Sequence, residues 1–171
     1  MNVGGASVPG ARLIGAGWRP MLATDLKAVG RIGHMMHADF PERASVVAER
    51  LSLFPAGCWM TEGGYVIAHP TRLGAPPALD TLLRSLADGA DTLHVHDVAL
   101  LPHMQGQGLG GAALKLLTGV AGRHGLARLS LVAVHGTPPY WARFGFQDAP
   151  AGPTLASYGP EARYMVRSVM I

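Results

Sequence analysis

The chain has 171 residues, of which 49% are hydrophobic and 15% are charged, and its formal net charge is +3 at pH 7. This length suits one domain with one core, and this composition is typical of a compact folded protein rather than a disordered one. No uninterrupted apolar run approaches the ~20 residues that a membrane-spanning helix needs. We therefore expect a flexible tail over residues 1–14, a single domain over residues 15–171, and no membrane partner.

Two features favour a cytoplasmic location. The N-terminal stretch MNVGGASVPGARLIGAG lacks the basic start and apolar core of a secretion signal. The only cysteine, Cys58, has no partner for an internal disulfide, and it lies in the apolar run AGCWM. It is therefore expected to be a small buried hydrophobic residue rather than a nucleophile.

The basic residues are unevenly distributed. No acidic residue lies between Asp97 and Asp148. The same window contains four positive charges, at Lys115, Arg123, Arg128 and Arg143. Such a surplus around a glycine turn suits a polyanionic ligand. Nucleic acid is not expected as a partner, because the chain has no basic run and no basic helix face with interleaved aromatic residues. A homodimer remains open.

In the first half of the chain, hydrophobic spacing and turn residues predict five elements. They are a short strand over 18–22, a helix from Asp25 to about Met36, a second helix over 42–53, a hairpin turning at 62–64, and a short helix over 79–86.

In the second half, LHVHDVALL (93–101) is an apolar, β-branched run closed by Pro102, which predicts a buried strand. A glycine turn follows, and then a helix over 108–124 whose apolar face comes from Leu109, Leu114, Leu117 and Val120. A buried strand ending at 134, a short helix over 140–144 and a strand over 162–170 complete the chain. Strands that alternate with helices predict an α/β fold with a central sheet covered by helices.

A glycine turn between a strand and a helix is typical of a phosphate site, because it presents backbone N–H groups and the positive end of the helix dipole. A P-loop is excluded, since Ala112 and Ala113 stand where that motif needs Lys and Ser or Thr. The dinucleotide pattern GxGxxG matches Gly106, Gly108 and Gly111, but no acidic residue follows about 20 positions later to bind a ribose. The third pattern is QxxGxG, at 105–110.

With QxxGxG five residues beyond the strand, VALLPHMQGQGLG and YWARFGF together resemble the two signatures of the GCN5-related N-acetyltransferase (GNAT) family. The resemblance runs from about residue 18 to residue 146. It implies a mixed central sheet with helices on both faces, strands that splay at the cofactor site, and acetyl-CoA as cosubstrate.

The resemblance also implies which residues contact CoA. The strand end would bind the pantetheine arm, the turn would wrap the pyrophosphate with its amides, and a residue after the next strand would add one contact. These residues are Val98, Ala99, Leu100, Gln105, Gly106, Gln107, Gly108, Leu109, Gly110 and His135. A surface-loop histidine without a ligand is an equal alternative for His135.

His94 and His96 are candidate catalytic residues. Strand alternation predicts that they face the same side together with Val98 and Leu100, while Asp97 faces the other. HVHDVAL is similar to the paired-histidine strand of the serotonin (arylalkylamine) N-acetyltransferases, which implies a relay for the amine proton. Buried core histidines are an open alternative. A zinc pair ranks last because no further His or Cys cluster is visible, so no metal is expected.

The second signature departs from the family pattern. The family has a tyrosine four residues before the glycine, which protonates the departing thiolate, and here that position is Trp141. An indole is not a usable acid, and Tyr140 on a helix points about 100° away. Either Tyr140 takes the role through a register shift, or Tyr158 or Tyr164 does, or no acid is used. The stretch HMMHADFPE (34–42) would form one wall of the acceptor site, with Asp39 able to meet an ammonium.

The sequence therefore predicts an N-acetyltransferase that moves an acetyl group from acetyl-CoA to a primary amine of a small molecule by direct attack. A nicotinamide-dependent oxidoreductase is the weaker enzyme alternative, because the ribose carboxylate is missing. A catalytically impaired acyl-CoA-binding module of the same fold is the alternative from another class.

Overall fold

A computed structural model describes residues 17–170, so the predicted tail over 1–14 lies outside the described residues. Over this range the chain forms seven strands and four α-helices. The strands are β1 (Arg19–Pro20), β2 (Cys58–Thr61), β3 (Gly64–Thr71), β4 (Thr92–Leu100), β5 (Arg128–Ala133), β6 (Gln147–Asp148) and β7 (Arg163–Ser168). The helices are α1 (Leu26–Met36), α2 (Ala44–Leu53), α3 (Leu109–Arg123) and α4 (Pro138–Ala142).

All seven strands form one sheet in the order β1-β2-β3-β4-β5-β7-β6. Neighbouring strands are antiparallel except β4 and β5, which are parallel and joined through α3. A parallel pair needs a long crossover, and α3 provides it. The predicted α/β fold with a mixed central sheet is confirmed.

The two faces of the sheet carry separate cores. On one face α1 buries Val29 and Ile32 against Tyr65, Ile67 and residues of β2. On the other face α3 packs against alternate residues of β3, β4 and β5. The apolar stripe predicted for α3 is confirmed, since its four members (Leu109, Leu114, Leu117 and Val120) are all buried.

The helix predicted over 79–86 is absent, and this prediction was wrong. The segment is irregular because its backbone N–H groups bond to a carboxylate of α2 instead of to its own carbonyls. The Glu49 carboxylate accepts the N–H groups of Leu83 and Arg84 at 2.6 and 3.0 Å. Arg84 also has a φ of +70°, which no α-helix allows.

Smaller differences concern the ends of elements. The first strand has only two residues, α4 begins at Pro138 rather than at 140, and the short strand β6 was not predicted. Cys58 is fully buried, as expected, and burial raises the pKa of its thiol to about 12. Among the helices of residues 17–170, none is long and apolar enough to cross a membrane.

Candidate active site

The candidate site is a cleft where β4 and β5 diverge. The two strands pair only over residues 92–95 and 128–131. Beyond that point β4 continues against β3 and β5 continues against β7, so a gap opens between them. Side chains from both strands, the α1–α2 connection and α4 line a cavity of about 150 Å³ in this gap. The predicted splaying of the strands is therefore present.

The free edge of β4 faces this gap. Leu101 N–H bonds to the Gly63 carbonyl at 2.8 Å, and in an antiparallel ladder the bonding direction alternates along the strand. The backbone groups of Ala99 consequently point to β3, whereas those of Val98 and Leu100 point into the gap. This edge is the one that the pantetheine arm was predicted to follow.

A β-bulge at His96 changes which side chains share a face. Asp97 lies opposite Ile67 and Val95 lies opposite Ala68, so His96 is an extra residue in β4. As a result His96 and Asp97 both face α1 and α2, whereas Val98 packs into the core on the α3 side. The predicted alternation, with Asp97 opposite the histidines, was wrong because one inserted residue reverses it.

The two predicted histidines belong to a buried cluster of three. The rings of His69, His94 and His96 have centroids 5.6 to 6.4 Å apart. His94 bonds through Nδ1 to the Ser130 hydroxyl at 3.0 Å. Burial holds the pKa of His94 well below its ordinary value, and burial followed by the charge of His96 lowers the pKa of His69 to about 3. The rings of His69 and His94 are therefore neutral at physiological pH.

His96 is the member of the predicted pair that lines the cleft. Its Nε2 lies 2.6 Å from Oε1 of Glu42, which comes from the α1–α2 connection. Its Nδ1 is buried and has no hydrogen-bond partner within residues 17–170. His96 thus combines a carboxylate partner with a ring nitrogen left free.

A second imidazole–carboxylate pair lies on the same cleft wall. His37, directly after α1, places Nε2 2.9 Å from Oδ1 of Asp97, and the Tyr65 hydroxyl donates to Oδ2 of Asp97 at 2.6 Å. This contact with Asp97 raises the pKa of His37. Burial opposes ionisation of Asp97, but the bonds from His37 and Tyr65 outweigh it, so the pKa of Asp97 is lowered.

The glycine turn before α3 has the backbone shape of an anion site. Gly106 and Gly108 have φ values of +75° and +78°, in the left-handed region that favours glycine. A Cβ added at either position would meet no atom within 4 Å, so both faces are open. The helical bonding of α3 begins with Ala112 N–H donating to the Gly108 carbonyl, which leaves the earlier amides available to an anion.

Two of the four positive charges predicted around this turn lie far from it. Arg123 ends α3, and a helix of this length places it about 20 Å from the turn. Arg128 begins β5 at the end of the strands opposite the turn and lies 3.5 Å from Asp91. Gln105 donates its side-chain amide to the Leu100 carbonyl at 3.0 Å and so closes the loop on β4.

On α4, Trp141 lines the cleft and Tyr140 lies outside it. A Cβ added at Gly110 would collide with the Tyr140 hydroxyl, which places that hydroxyl against the start of α3. The structure therefore puts an indole at the cleft wall and the phenol of Tyr140 beside the glycine turn.

The two other tyrosines considered as acids differ in position. Tyr158 lines the cleft and donates its hydroxyl to the Pro77 carbonyl at 3.0 Å, and burial raises its pKa. Tyr164 is buried away from the cleft, and its hydroxyl accepts the N–H of Gly74 at 3.0 Å. Of these two, only Tyr158 reaches the cavity.

His135 lies at the outer rim, on the loop after β5. It has a φ of +50°, its Nε2 is 3.1 Å from Oδ2 of Asp39, and its ring lies 4.9 Å from that of Phe40. Asp39 is largely exposed. These contacts join the α1–α2 connection to the β5–α4 loop across the mouth of the cleft.

The stretch 34–42 does form part of the cleft wall, but sequence reasoning assigned its His37 and Glu42 no individual role. Their carboxylate and imidazole partners on β4 lie more than 50 residues away, so no local spacing marks the two pairs. Tyr158, one of the candidate acids, also lines the cleft. Within residues 17–170 no group of three or more His, Cys, Asp or Glu side chains is arranged to hold a metal ion.

Residues 55–146 match the model of the acetyltransferase (GNAT) family. Ard1 from Thermoplasma volcanium superposes with a TM-score of 0.67 at 12% identity, covering 93% of this chain and 100% of that chain. The ribosomal-protein-S18-alanine N-acetyltransferase from Escherichia coli gives 0.61 at 20% identity, with 92% and 96% covered. GphF, a GNAT-like decarboxylase solved in complex with isobutyryl-CoA, gives 0.66 at 17% identity, with 89% and 98% covered.

No curated protein sequence matches the chain significantly. At these identities the structural likeness shows the fold and not the substrate. None of these comparisons tests the similarity of HVHDVAL to the serotonin N-acetyltransferases, which stays a prediction.

Proposed function

Because the chain belongs to the GNAT acetyltransferase family, we propose that it transfers an acetyl group from acetyl-CoA to a primary amine of a small molecule. The observation that carries this proposal is the cleft between β4 and β5, where a free backbone edge runs into an open glycine turn. A thioester placed along that edge would have its carbonyl carbon beside His96. Direct attack by the amine needs no covalent enzyme intermediate.

Three parts of the cleft fit acetyl-CoA: the edge of β4, the glycine turn and the outer rim. The edge of β4 offers the N–H groups of Val98 and Leu100 to pantetheine, while the carbonyls of these two residues bond to His37 and Gln105. The amides of 106–110 offer donors to the pyrophosphate, where a side chain at Gly106 or Gly108 would hold the phosphate away, whereas the Gln105 N–H donates to the Pro102 carbonyl. His135 would add an outer contact at the rim.

The reaction requires an oxyanion donor and an acceptor for the amine proton. The Val98 N–H, which points into the gap, suits the developing negative charge on the thioester oxygen. His96 suits the role of proton acceptor because it lines the cleft and its Nε2 contacts the Glu42 carboxylate. His94 lies deeper and would hold a proton only transiently, since burial strongly lowers its pKa.

Neither Trp141 nor Tyr158 is set to protonate the leaving thiolate. Trp141 has no usable proton, and the Tyr158 hydroxyl is engaged with the Pro77 carbonyl. A CoA thiol has a pKa near ~8.5, so its thiolate leaves readily near neutral pH without an acid. The presence of Trp141 also favours the second candidate, an acyl-CoA-binding module with impaired catalysis.

One experiment separates these candidates. CoA thiol release from acetyl-CoA is followed across aromatic amines, polyamines, amino acids and aminoglycosides, with mass detection of the acetylated product. Amine-dependent release with a matching product supports the acetyltransferase. Tight CoA binding by calorimetry without turnover on any amine would support the binding module instead.

A further inference from the structure

We propose that His37 is a second proton acceptor of the reaction and that Asp97 positions it. The inference rests on the proposed acetyl transfer to an amine. Both residues line the same cleft as His96, and neither belongs to the histidine pair that the sequence singles out.

The surroundings of His37 fix the tautomer of its neutral ring. Its Nε2 lies 2.9 Å from Oδ1 of Asp97 and 3.1 Å from the Val98 carbonyl oxygen. Both partners only accept hydrogen bonds, so Nε2 must carry the N–H. The lone pair of the neutral ring therefore sits on Nδ1, to which no group within residues 17–170 donates. His37 thus has one nitrogen held and one free to take a proton.

The fold holds this pair rigidly. The bulge at His96 turns Asp97 toward α1, and the Tyr65 hydroxyl locks its second oxygen at 2.6 Å. His37 directly follows the end of α1, and its own N–H donates to the Gly33 carbonyl at 2.8 Å. The His37 side chain remains 32% exposed, so a proton taken from a bound amine can pass on to solvent.

The position relative to the backbone of β4 also fits. His37 bonds to the carbonyl of Val98, the residue whose N–H is proposed to face the thioester oxygen. Under the proposed reaction, His37 therefore lies beside the backbone that would hold the thioester, on the same cleft wall.

Groups from five parts of the chain face His37 or its partner. They are Asp97 and His96 on β4, Tyr65 on β3, His34 on α1, Glu42 between α1 and α2, and Tyr158 near the C-terminus. Asp97 and Glu42 both favour the charged imidazole. A more basic ring is a better acceptor for an ammonium proton, provided that it is still neutral at the working pH.

The proposed step removes two protons from the amine nitrogen. The ammonium gives one N–H proton to Nδ1 of neutral His37, and the freed lone pair attacks the thioester carbon. The carbonyl π pair moves to oxygen, and the tetrahedral intermediate collapses by breaking the C–S bond. The amide nitrogen loses its second proton to His96, and the thiolate takes up one proton from solvent. His37 and His96 each return a proton to solvent, so one net proton is released.

The test compares His37→Gln and Asp97→Asn with the wild-type protein in the pH dependence of kcat/KM. The matched control is His124→Gln, which removes an exposed histidine at the end of α3, away from the cleft. We expect His37→Gln to lower the plateau by about 100-fold and to abolish the ionisation that governs the alkaline rise. Asp97→Asn should move that ionisation to lower pH, and the control should overlay the wild-type curve.

Added imidazole provides a second readout that a structural role would not give. In His37→Ala, free imidazole should restore part of the rate in proportion to its neutral form. Calorimetric CoA binding and the near-ultraviolet circular dichroism spectrum confirm that each variant is folded.

The outcomes separate the two levels of the proposal. No turnover of any amine by the wild-type protein would overturn the acetyltransferase function and this role together. Wild-type turnover with an unchanged pH profile in His37→Gln, or no rescue by imidazole, would overturn the role of His37 alone.

Discussion

Lowering the pH from 7 to 5 is expected to destabilise the fold by about 2 kcal/mol through His69 alone. The His69 ring is fully buried, and burial together with the charge of His96 lowers its pKa to about 3. The unfolded chain has a histidine pKa of about 6.5. As the pH falls below that value, the unfolded state binds a proton that the folded state does not bind. Stability is therefore full above the unfolded pKa and is lost progressively toward pH 3.

The size of the effect follows from linkage. Between pH 7 and 5 the unfolded histidine goes from mostly neutral to almost fully protonated, while the folded ring stays neutral. Each pH unit over which only the unfolded state binds the proton removes about 1.4 kcal/mol, and the sum over this interval is about 2 kcal/mol. His94 acts in the same direction, because its pKa is also lowered by burial.

The assay is urea unfolding at pH 5, 6 and 7 at constant ionic strength, for the wild-type protein and for His69→Gln. Only the difference between the two proteins is used, since every other titrating group contributes to both. The wild type should lose about 2 kcal/mol more than the variant between pH 7 and 5. His103→Gln removes an exposed histidine and serves as the control. Parallel stability curves for wild type and His69→Gln would refute the reasoning.

Three further predictions concern the proposed reaction. Gly108→Ala should raise the KM for acetyl-CoA about tenfold in steady-state kinetics with kcat nearly kept, because a φ of +78° strains alanine and the new Cβ enters the phosphate site; an unchanged KM would place the pyrophosphate elsewhere. His96→Gln should lower kcat about 100-fold without weakening CoA binding, and equal loss of both would indicate a structural role. Trp141→Tyr should raise kcat by placing a phenol in the cleft, whereas no gain would show that the thiolate leaves unassisted.

The elements that sequence predicts well are those whose pattern is local. The apolar stripe of α3 and the buried run of β4 are set by residues a few positions apart, and both were predicted closely. The segment over 79–86 has a helix-like spacing of leucines but folds irregularly. Its conformation depends on Glu49, more than 30 residues earlier in the chain, so no local window contains the cause.

The glycine turn was predictable because its requirement is also local: backbone shape and free amides are encoded by glycine itself. The partners of the histidines were not predictable, because one inserted residue in β4 decides which face Asp97 takes. An alternation rule carried through His96 gives the wrong face for every later residue of the strand. The bulge, invisible in the pattern LHVHDVALL, thus determines the composition of the cleft wall.

This bulge explains why the cleft holds two imidazole–carboxylate pairs of opposite arrangement. In one pair β4 supplies the imidazole of His96 and the α1–α2 connection supplies Glu42; in the other β4 supplies Asp97 and the α1–α2 connection supplies His37. Protonation of either ring takes its pair from a charge of −1 to zero, never to a net positive charge. A proton accepted by either ring therefore leaves no net positive charge that would repel a cationic amine, which in the proposed reaction loses two protons from its nitrogen as it becomes an amide.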